Sequence, residues 1–405
     1  MTGRGSGRAT GRVEAWVVTA PGLESITATE LARLDIRVAR TGRGGLSCAA
    51  TPAQLVNANL RLRTATRVQV RTGRFRASGE RDLSRGLREI DWSPYLTDGR
   101  AVRLNVSSSG SRLYHTGLIA EVAASVFAEG GHRVVTGGAV SRVASDINTG
   151  TDTNINTDRA VGAHGRDDAE GSPESDASTV SIRLAHDTVT VSIDSSGEPL
   201  FRRGARTAVG EAPMRETVAA ALVAWSGWDG KGLLRDPCCG AGTIVIEAAQ
   251  WAMRIAPGSR REFALEHWPS IDAELVAKLR RAADADRRPG RGLRIEASDI
   301  DTAVLDAARA NAERAEVADR IVFTQRDVRQ KPAVAADLVV ANPPYGVRSR
   351  ADLPAVYRAV SDDAPRSVLV VPDHDGVDRW IGRSAGRRLE VENGGLAVCF
   401  RDSAT

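Results

Sequence analysis

The C-terminal half of the chain repeats one pattern, in which a short apolar run precedes a polar residue and a segment with helical spacing. Such runs are typical of strands buried on both faces of a parallel sheet, and the segments between them predict helices that cover it. This alternation predicts an α/β fold with a doubly wound sheet. The strands are predicted at residues 233–234, 294–297, 321–324, 337–341 and 367–371.

The end of the chain predicts a different kind of pairing. Two further runs, at residues 388–392 and 396–400, flank Asn393-Gly394, a dipeptide that favours tight hairpins. The parallel sheet is therefore expected to close with an antiparallel pair. That combination fits a Rossmann-like class I methyltransferase fold and is unlike a dinucleotide dehydrogenase.

The N-terminal half mixes strand and helix periodicities, which predicts small α+β units. The serine-rich stretch Ser107–Ser111 is expected to be a loop, which either binds phosphate at a helix N-terminus or serves as a flexible connector. Strands are predicted at residues 15–19, 66–70, 101–106, 180–184 and 189–193, and helices at 25–34 and 113–128.

Composition and charge divide the chain further. Its 405 residues suit two or three domains, and residues 1–140 hold 20 arginines against 11 acidic residues, whereas the remainder is net acidic. A basic module beside a less basic one is typical of a separate nucleic-acid-binding region, although a solvated basic face gives the same count. Residues 1–12 are rich in Gly and Arg, and residues 144–178 are acidic and nearly devoid of large apolar side chains. Both stretches are expected to be disordered.

Targeting signals and metal motifs are not evident in the sequence. No apolar run approaches the ~20 residues that a membrane span needs, and residues 1–12 lack the apolar core of a secretory signal. A cytoplasmic protein without membrane contact is therefore expected. The four cysteines show no CxxC spacing, so neither a disulfide framework nor a metal site is expected.

The motif Asn342-Pro343-Pro344-Tyr345 follows the apolar run at 337–341, where open α/β sheets bind their ligands. An exocyclic amine on a nucleobase is a poor nucleophile, because its lone pair is delocalised into the ring. The Asn342 amide oxygen and the Pro343 carbonyl could accept its two N–H bonds, while the Tyr345 ring stacks on the base. The alternative is a proline-rich turn that caps a strand, and the motif alone favours neither.

Four aspartates and two glycines mark the strand ends that precede this motif. In the loop 236–243, Gly240 and Gly242 permit a tight turn, and Asp236 could face the ammonium of an amino-acid moiety, because GxGxxG spacing for a pyrophosphate is absent. Asp299 could take both hydroxyls of a ribose, with Asp301 ranked second, and Asp327 could accept from an adenine amino group. Each aspartate alone is expected to be a helix N-cap, but their succession predicts a cofactor site.

One cysteine within this loop suggests a rival chemistry. Cys238 follows Pro237, a pair that could supply the nucleophile of a cytosine-C5 methyltransferase. We reject that hypothesis because the pair lies in the predicted cofactor loop and an amine target needs no covalent adduct. A small buried side chain is the expected role of this cysteine.

Several stretches together resemble the THUMP-domain RNA guanine-N2 methyltransferases. They are FRRG at 201–204, APMRET at 212–217, DPCCGAGTIVIEAA at 236–249, IAPG at 255–258 with FALEHW at 263–268, SDID at 298–301 and NPPYG at 342–346. The stretches APGLE at 20–24 and IDW at 90–92 are similar to that family's ferredoxin-like domain, and residues 102–196 to its RNA-binding THUMP domain.

This resemblance implies a ferredoxin-like domain at 13–72, a THUMP domain at 73–200 and a methyltransferase domain at 201–405. It implies S-adenosyl-L-methionine as cofactor and RNA as partner, with methyl transfer to guanine N2 in 23S rRNA, or alternatively in tRNA. Catalytic roles fall to Asn342, Pro343 and Tyr345, which would orient the amine and hold a flipped base. The cofactor site would be lined by Asp236, Gly240, Gly242, Asp299 and Asp327.

Two other classes of function remain as alternatives. DNA adenine-N6 methylation uses the same Asn-Pro-Pro-Tyr logic, but the N-terminal resemblance argues against it. An RNA-binding module with an inert methyltransferase fold is the second, and the intact Asn342, Asp236 and Asp299 argue against it.

Overall fold

The computed structural model describes residues 11–135, 177–204, 214–345, 352–372, 377–381 and 386–404. These residues form two sheets, one in each half of the chain. Most of the segments expected to be disordered, 1–12 and 144–178, lie outside the described residues, but Ser178 is the first residue of a strand. Within the described ranges, every helix is too short or too polar to cross a membrane.

The first sheet is formed by the N-terminal half and runs in the order β2-β3-β1-β4-β8-β7-β5-β6. Its strands are β1 Val13–Thr19, β2 Val38–Gly42, β3 Gly45–Ala50, β4 Ala65–Arg76, β5 Val102–Ser109, β6 Val134–Val135, β7 Ser178–Ala185 and β8 Thr188–Asp194. Its helices are α1 Glu24–Arg33, α2 Pro52–Arg61, α3 Glu80–Arg88 and α4 Thr116–Glu129.

Strand β4 is the link between the two N-terminal regions. It pairs antiparallel with β1 on one side and with β8 on the other. The boundary expected between residues 72 and 73 therefore falls inside this strand. The two regions share one continuous sheet.

The loop expected at Ser107–Ser111 is wrong for its first three residues. Ser107, Ser108 and Ser109 belong to β5, where each pairs with a residue of the parallel strand β7. The following helix begins at Thr116 rather than at Leu113. Serine has little strand propensity, so the ladder with β7 determines the structure here.

The second sheet runs in the order β11-β10-β9-β12-β13-β15-β14. Its strands are β9 Leu233–Asp236, β10 Arg294–Asp299, β11 Ile321–Gln325, β12 Leu338–Ala341, β13 Arg366–Pro372, β14 Arg388–Asn393 and β15 Leu396–Ala404. The helices of this half are α5 Glu216–Ser226, α6 Thr243–Ala252, α7 Ala273–Ala285, α8 Thr302–Arg314, α9 Leu353–Asp362 and α10 Val377–Ile381.

This sheet confirms the predicted doubly wound fold with a terminal hairpin. Strands β9 to β13 pair in parallel with one another, while β15 is antiparallel to both β13 and β14. Every residue of β9 and β12 is buried, as expected for central strands covered on both faces. The chain order reverses between β9 and β12, so the loops after these strands border a crevice.

The two halves are joined through a shared core and a buried ionic cluster. Phe263, Leu265 and Trp268 lie C-terminal to α6, yet they pack into the hydrophobic core of the N-terminal half. Arg63 and Arg203 both lie close to Glu247 of α6, at 3.2 and 3.1 Å. These side chains are buried, and removing one partner of such a cluster costs roughly 3–5 kcal/mol. The first half is therefore fixed against the helix that follows the glycine loop.

Candidate active site

The glycine loop connects β9 to α6 at the carboxyl edge of the second sheet. Gly240 and Gly242 have φ angles of 51° and 80°, a left-handed conformation that favours glycine. A Cβ on Gly242 would lie 3.2 Å from the Cβ of Ala308 in α8, whereas one on Gly240 would meet no atom within 4 Å. The loop thus packs closely on one side and leaves space over Gly240 on the other.

Asp299 holds the glycine loop against the end of β10. Its Oδ2 accepts a hydrogen bond from the Gly240 N–H at 3.0 Å, and its Oδ1 accepts one from the Asp301 N–H at 3.1 Å. The Cys239 N–H also donates to the Ser298 carbonyl at 3.0 Å. Because each carboxylate oxygen has two lone pairs, Asp299 keeps acceptor capacity for a ligand.

Asp236, at the end of β9, is buried with one oxygen unused. Its Oδ1 accepts from the Cys238 N–H at 3.1 Å, and its buried Oδ2 has no hydrogen-bond partner among the described residues. Burial, and secondarily the nearby Asp299 carboxylate, raise the pKa of Asp236 to about 8. A buried carboxylate without a cation is costly, so this site favours a cationic guest.

The other two predicted aspartates have partners within the chain. The Oδ1 of Asp301 accepts from the Ala303 N–H at 2.8 Å and caps α8, which is the alternative expected for such a residue. Both carboxylate oxygens of Asp327, which follows β11, accept from the Arg329 guanidinium. Hydrogen bonds from Arg329 lower the pKa of Asp327 to about 2 and keep it ionised. The role of Arg329 could not be read from the sequence, since nothing in the pattern sets it apart from other arginines.

Asn342 follows β12 directly, across the crevice from the glycine loop. Its side-chain Oδ1 is buried and has no hydrogen-bond donor among the described residues. Pro343, the next residue, is buried as well, while Pro344 is exposed. An unsatisfied buried acceptor costs about 1–3 kcal/mol, which marks it as a position to be filled by a ligand's donor.

Tyr345 is half-buried and its ring packs against the core of the second sheet. Its hydroxyl lies near the side chain of Asn393, the last residue of β14. Burial raises the pKa of Tyr345, so the phenol stays protonated at neutral pH. The sequence marks Asn393 only as a turn former, and its position near Tyr345 depends on the closure of the terminal hairpin.

Cys238 does not have the environment of a nucleophile. Burial, with the carboxylates of Asp236 and Asp299 close by, raises the pKa of its thiol well above the ordinary range. Catalytic cysteines need positive surroundings that lower the pKa. The structure thus agrees with the rejection of covalent chemistry at this residue.

These features define the class of protein. A seven-stranded sheet in this order, with a glycine loop after its central strand and an antiparallel hairpin at one edge, is the class I methyltransferase fold. The residues present also fit S-adenosyl-L-methionine, since Asp236 offers a cation a carboxylate oxygen that no described residue engages, and Gly240 leaves room beside it.

Comparison with known proteins identifies the family within that class. The model of the RMKL-like methyltransferase domain matches residues 203–398, and that of the RlmL ferredoxin-like domain matches residues 14–69. The protein named "Putative RNA methyltransferase YpsC" of Bacillus subtilis is 30% identical over 93% of this chain and 92% of its own length. The chain therefore belongs to the RlmL-like RNA methyltransferases, whose methyl donor is S-adenosyl-L-methionine.

Two further relatives are informative. The "Ribosomal RNA large subunit methyltransferase K/L" of Psychromonas ingrahamii is 30% identical over 82% of this chain, which spans only 41% of that longer protein. A solved structure of "SMU.472, a putative methyltransferase complexed with SAH" superposes with a TM-score of 0.80 at 26% identity. That match covers 97% of this chain and 98% of the other.

Proposed function

We propose that this enzyme transfers a methyl group from S-adenosyl-L-methionine to N2 of a guanine in RNA, and that 23S rRNA carries this guanine. The observation that carries the proposal is the buried Oδ1 of Asn342 beside Pro343, which has no hydrogen-bond partner among the described residues. The RNA target rests on the family, and the choice of 23S rRNA rests on the sequence resemblance and on the ribosomal RNA enzyme among the relatives.

We assign to Asn342 the role of orienting the reacting amine. An N–H donated to its Oδ1, and a second donated to the Pro343 carbonyl, would hold the nitrogen toward tetrahedral geometry and localise its lone pair. Both interactions strengthen as charge develops on nitrogen, so they lower the barrier rather than merely bind substrate. When bound, S-adenosyl-L-methionine supplies an electrophilic methyl group on its sulfonium.

The other site residues hold the two partners of the reaction. Asp236 would face the ammonium of the cofactor, Asp299 its ribose hydroxyls, and Asp327 its adenine amino group. Gly240 and Gly242 let the loop approach the cofactor closely. Tyr345 would stack on a guanine turned out of its helix, a geometry that gives access to N2. Asp301 caps α8 and is kept only as a second candidate for the ribose.

We assign RNA binding to the N-terminal half. Several arginines of residues 61–88 are engaged within the protein, including Arg61 with Asp286 and Arg67 with Asp194. Three others, Arg74 and Arg76 of β4 and Arg81 of α3, are exposed. Because phosphate contacts need accessible cations, these three are the better candidates.

The test is methyl transfer from tritiated S-adenosyl-L-methionine to separated 23S rRNA and tRNA from cells that lack this protein, followed by nucleoside analysis. Label in N2-methylguanosine of 23S rRNA is the expected result. N2-methylguanosine in tRNA would support methylation of guanine N2 but would identify tRNA rather than 23S rRNA as the substrate. N6-methyladenosine, or label in a parallel DNA sample, would overturn the assignment of guanine in RNA. An absence of label, together with no heat of binding for S-adenosylhomocysteine, would indicate an inert domain.

A further inference from the structure

A cluster of charged side chains lies on one face of the second sheet, beside the strand ends that carry the candidate aspartates. Arg235 of β9 is buried, and its guanidinium donates to the Glu296 carboxylate at 2.7 and 2.8 Å and to the Asp363 carboxylate at 2.6 Å. Asp363, which directly follows α9, is buried and also forms an ion pair with Arg326 at 3.6 Å. One carboxylate thus joins two arginines, each of which directly precedes an aspartate assigned to the cofactor.

Strand β11, which leads to Arg326, lies at the edge of the sheet. Among the described strands it pairs with β10 alone, and four of its five residues are at least partly exposed. The Arg326 N–H extends this pairing by donating to the Asp299 carbonyl at 2.9 Å, and the Arg326 guanidinium donates to the Ser298 hydroxyl at 3.3 Å. Asp327 follows immediately, so its position depends on how Arg326 is held.

The segment that carries Asp327 is attached to the same cluster at its far end. The Val334 carbonyl accepts from the Arg235 guanidinium at 2.8 Å, and the Ala336 N–H donates to the Asp363 carbonyl at 3.2 Å. Residues 326–337 contain no helix or strand. The contacts at both ends therefore fix a segment that has no regular backbone pairing of its own.

We propose that Asp363, through Arg326 and Arg235, positions Asp327 for the adenine amino group of the cofactor. Asp363 acts through the two arginines rather than by contact with the cofactor, so it is a positioning residue. A cofactor contact at the edge of the sheet is in this way held from the interior. The proposal rests on the role assigned above to Asp327.

The test compares two ligands that differ at the group that Asp327 is assigned to bind. S-adenosylhomocysteine carries the adenine amino group, whereas S-inosylhomocysteine carries a carbonyl oxygen in its place. Wild type should bind the first ligand at least about tenfold more tightly in calorimetry, the usual scale for a hydrogen bond to a charged group. Asp327→Ala should abolish this preference, and Asp363→Asn should remove most of it.

Asp402→Asn is the matched control for the loss of a charge that is paired with two arginines. The Asp402 carboxylate pairs with Arg366 at 2.8 Å and with Arg387 at 2.9 Å, in the antiparallel part of the same sheet. Like Asp363→Asn, this variant should unfold at a lower temperature, but it should keep the wild-type ratio of the two affinities. A merely structural role of Asp363 would likewise leave that ratio unchanged.

Two outcomes of the calorimetry would overturn the proposal. A preference that is lost in Asp327→Ala but kept in Asp363→Asn would refute the positioning role alone. A wild-type protein without any preference would refute the assigned role of Asp327, and the inference with it. Neither result requires methyl transfer, so an error in the choice of guanine N2 or of RNA does not affect the test.

Variants of Arg326 keep the proposal testable if Asp363→Asn does not fold, because the Arg326 side chain is the more exposed of the two. The 3.6 Å pair with Asp363 is ionic, so Arg326→Lys should keep most of the preference and Arg326→Ala should lose it. The double variant Arg326→Ala with Asp363→Asn should bind S-adenosylhomocysteine no more weakly than Arg326→Ala. Multiplicative losses would indicate a direct contact of Arg326 with the ligand and would contradict the proposal.

Hydrogen exchange of the cofactor-free protein separates this inference from the proposed function. Asp363→Asn should accelerate amide exchange in residues 326–337, whereas Asp402→Asn should accelerate it in β15 and leave residues 326–337 unchanged. Unchanged exchange of residues 326–337 in Asp363→Asn would refute the inference even in an enzyme that methylates guanine N2. Faster exchange and a lost ligand preference, in a protein that does not methylate guanine, would refute only the proposed function.

Discussion

The two sides of the crevice are stabilised in different ways. On the cofactor side, Asp236, Asp299 and the glycine loop are joined by hydrogen bonds among the loops that follow β9 and β10. On the substrate side, the Asn342 oxygen has no partner among the described residues, and Tyr345 lies near the terminal hairpin. The cofactor side is thus ordered by hydrogen bonds among its own loops, whereas the substrate side keeps a buried acceptor that no described residue satisfies.

The largest effect is expected from a substitution on the substrate side alone. Asn342→Ala removes the unpartnered acceptor and should lower kcat by about 10²–10³-fold, the usual cost of deleting one transition-state hydrogen bond. The affinity for S-adenosylhomocysteine, measured by calorimetry, should stay unchanged because the cofactor side is independently ordered. Asn342→Asp keeps an acceptor at the same position and should lose less activity than the alanine variant. Full turnover in Asn342→Ala would remove the motif from the mechanism.

A smaller effect is expected on the cofactor side. Asp236→Asn removes the carboxylate assigned to the cofactor's ammonium and should weaken binding of S-adenosylhomocysteine at least about tenfold. Asp229→Asn, the same change at an exposed site, is the control. Equal affinity of wild type and Asp236→Asn would show that the cation is held elsewhere.

The pKa of Asp236 gives this variant a second signature. Since the pKa is about 8, the carboxyl is mostly protonated at pH 7, and a bound cation should release that proton. Calorimetry in buffers of different ionisation enthalpy should detect the release in wild type but not in Asp236→Asn. In the cofactor-free protein, a raised carboxyl pKa contributes stability that is complete below about pH 4 and is lost as the pH rises through about 8. The free energy of unfolding of Asp236→Asn should not show this decrease as the pH rises.

The smallest expected effect extends the comparison to the N-terminal half. Arg74→Ala, Arg76→Ala and Arg81→Ala should each weaken RNA binding and reduce the dependence of log affinity on log salt by about 0.7–0.9 per lost phosphate contact. Turnover at saturating RNA should not change. Arg281→Ala, an exposed arginine on α7, is the control. Unaltered affinity in a combined triple variant would exclude this surface from RNA binding.

The sequence separation of the contacts that stabilise each element explains what could be predicted from sequence. The strands of the second sheet and Asn393-Gly394 were predictable because apolar runs and turn dipeptides are local signals. The extent of β5 was not, since Ser107, Ser108 and Ser109 are held in the strand by pairing with residues more than 70 positions later. Helix α7, over Ala273–Ala285, was not singled out either, and its packing on α2 of the other half could not be inferred from a local pattern.

The same distinction between local patterns and long-range contacts applies to the candidate site. Asp236, Asp299, Asp327 and Asn342 could be placed at strand ends from sequence, and the structure puts all four at the carboxyl edge of one sheet. The position of Asn393 near Tyr345 could not be predicted, because it requires the register of the last hairpin relative to β12. The same is true of the ionic cluster of Arg63, Arg203 and Glu247, whose members come from three separate segments.

The continuous first sheet has a consequence for exchange of parts between relatives. Recombination at residue 72 would divide strand β4 between two parents and require its pairings with both β1 and β8 to match. A crossover after β8 would leave that sheet whole but would still separate Arg63 from Glu247, and Pro21 from Glu392. Functional chimeras should therefore be frequent only when the N-terminal 200 residues, helix α6 and the terminal hairpin are inherited together.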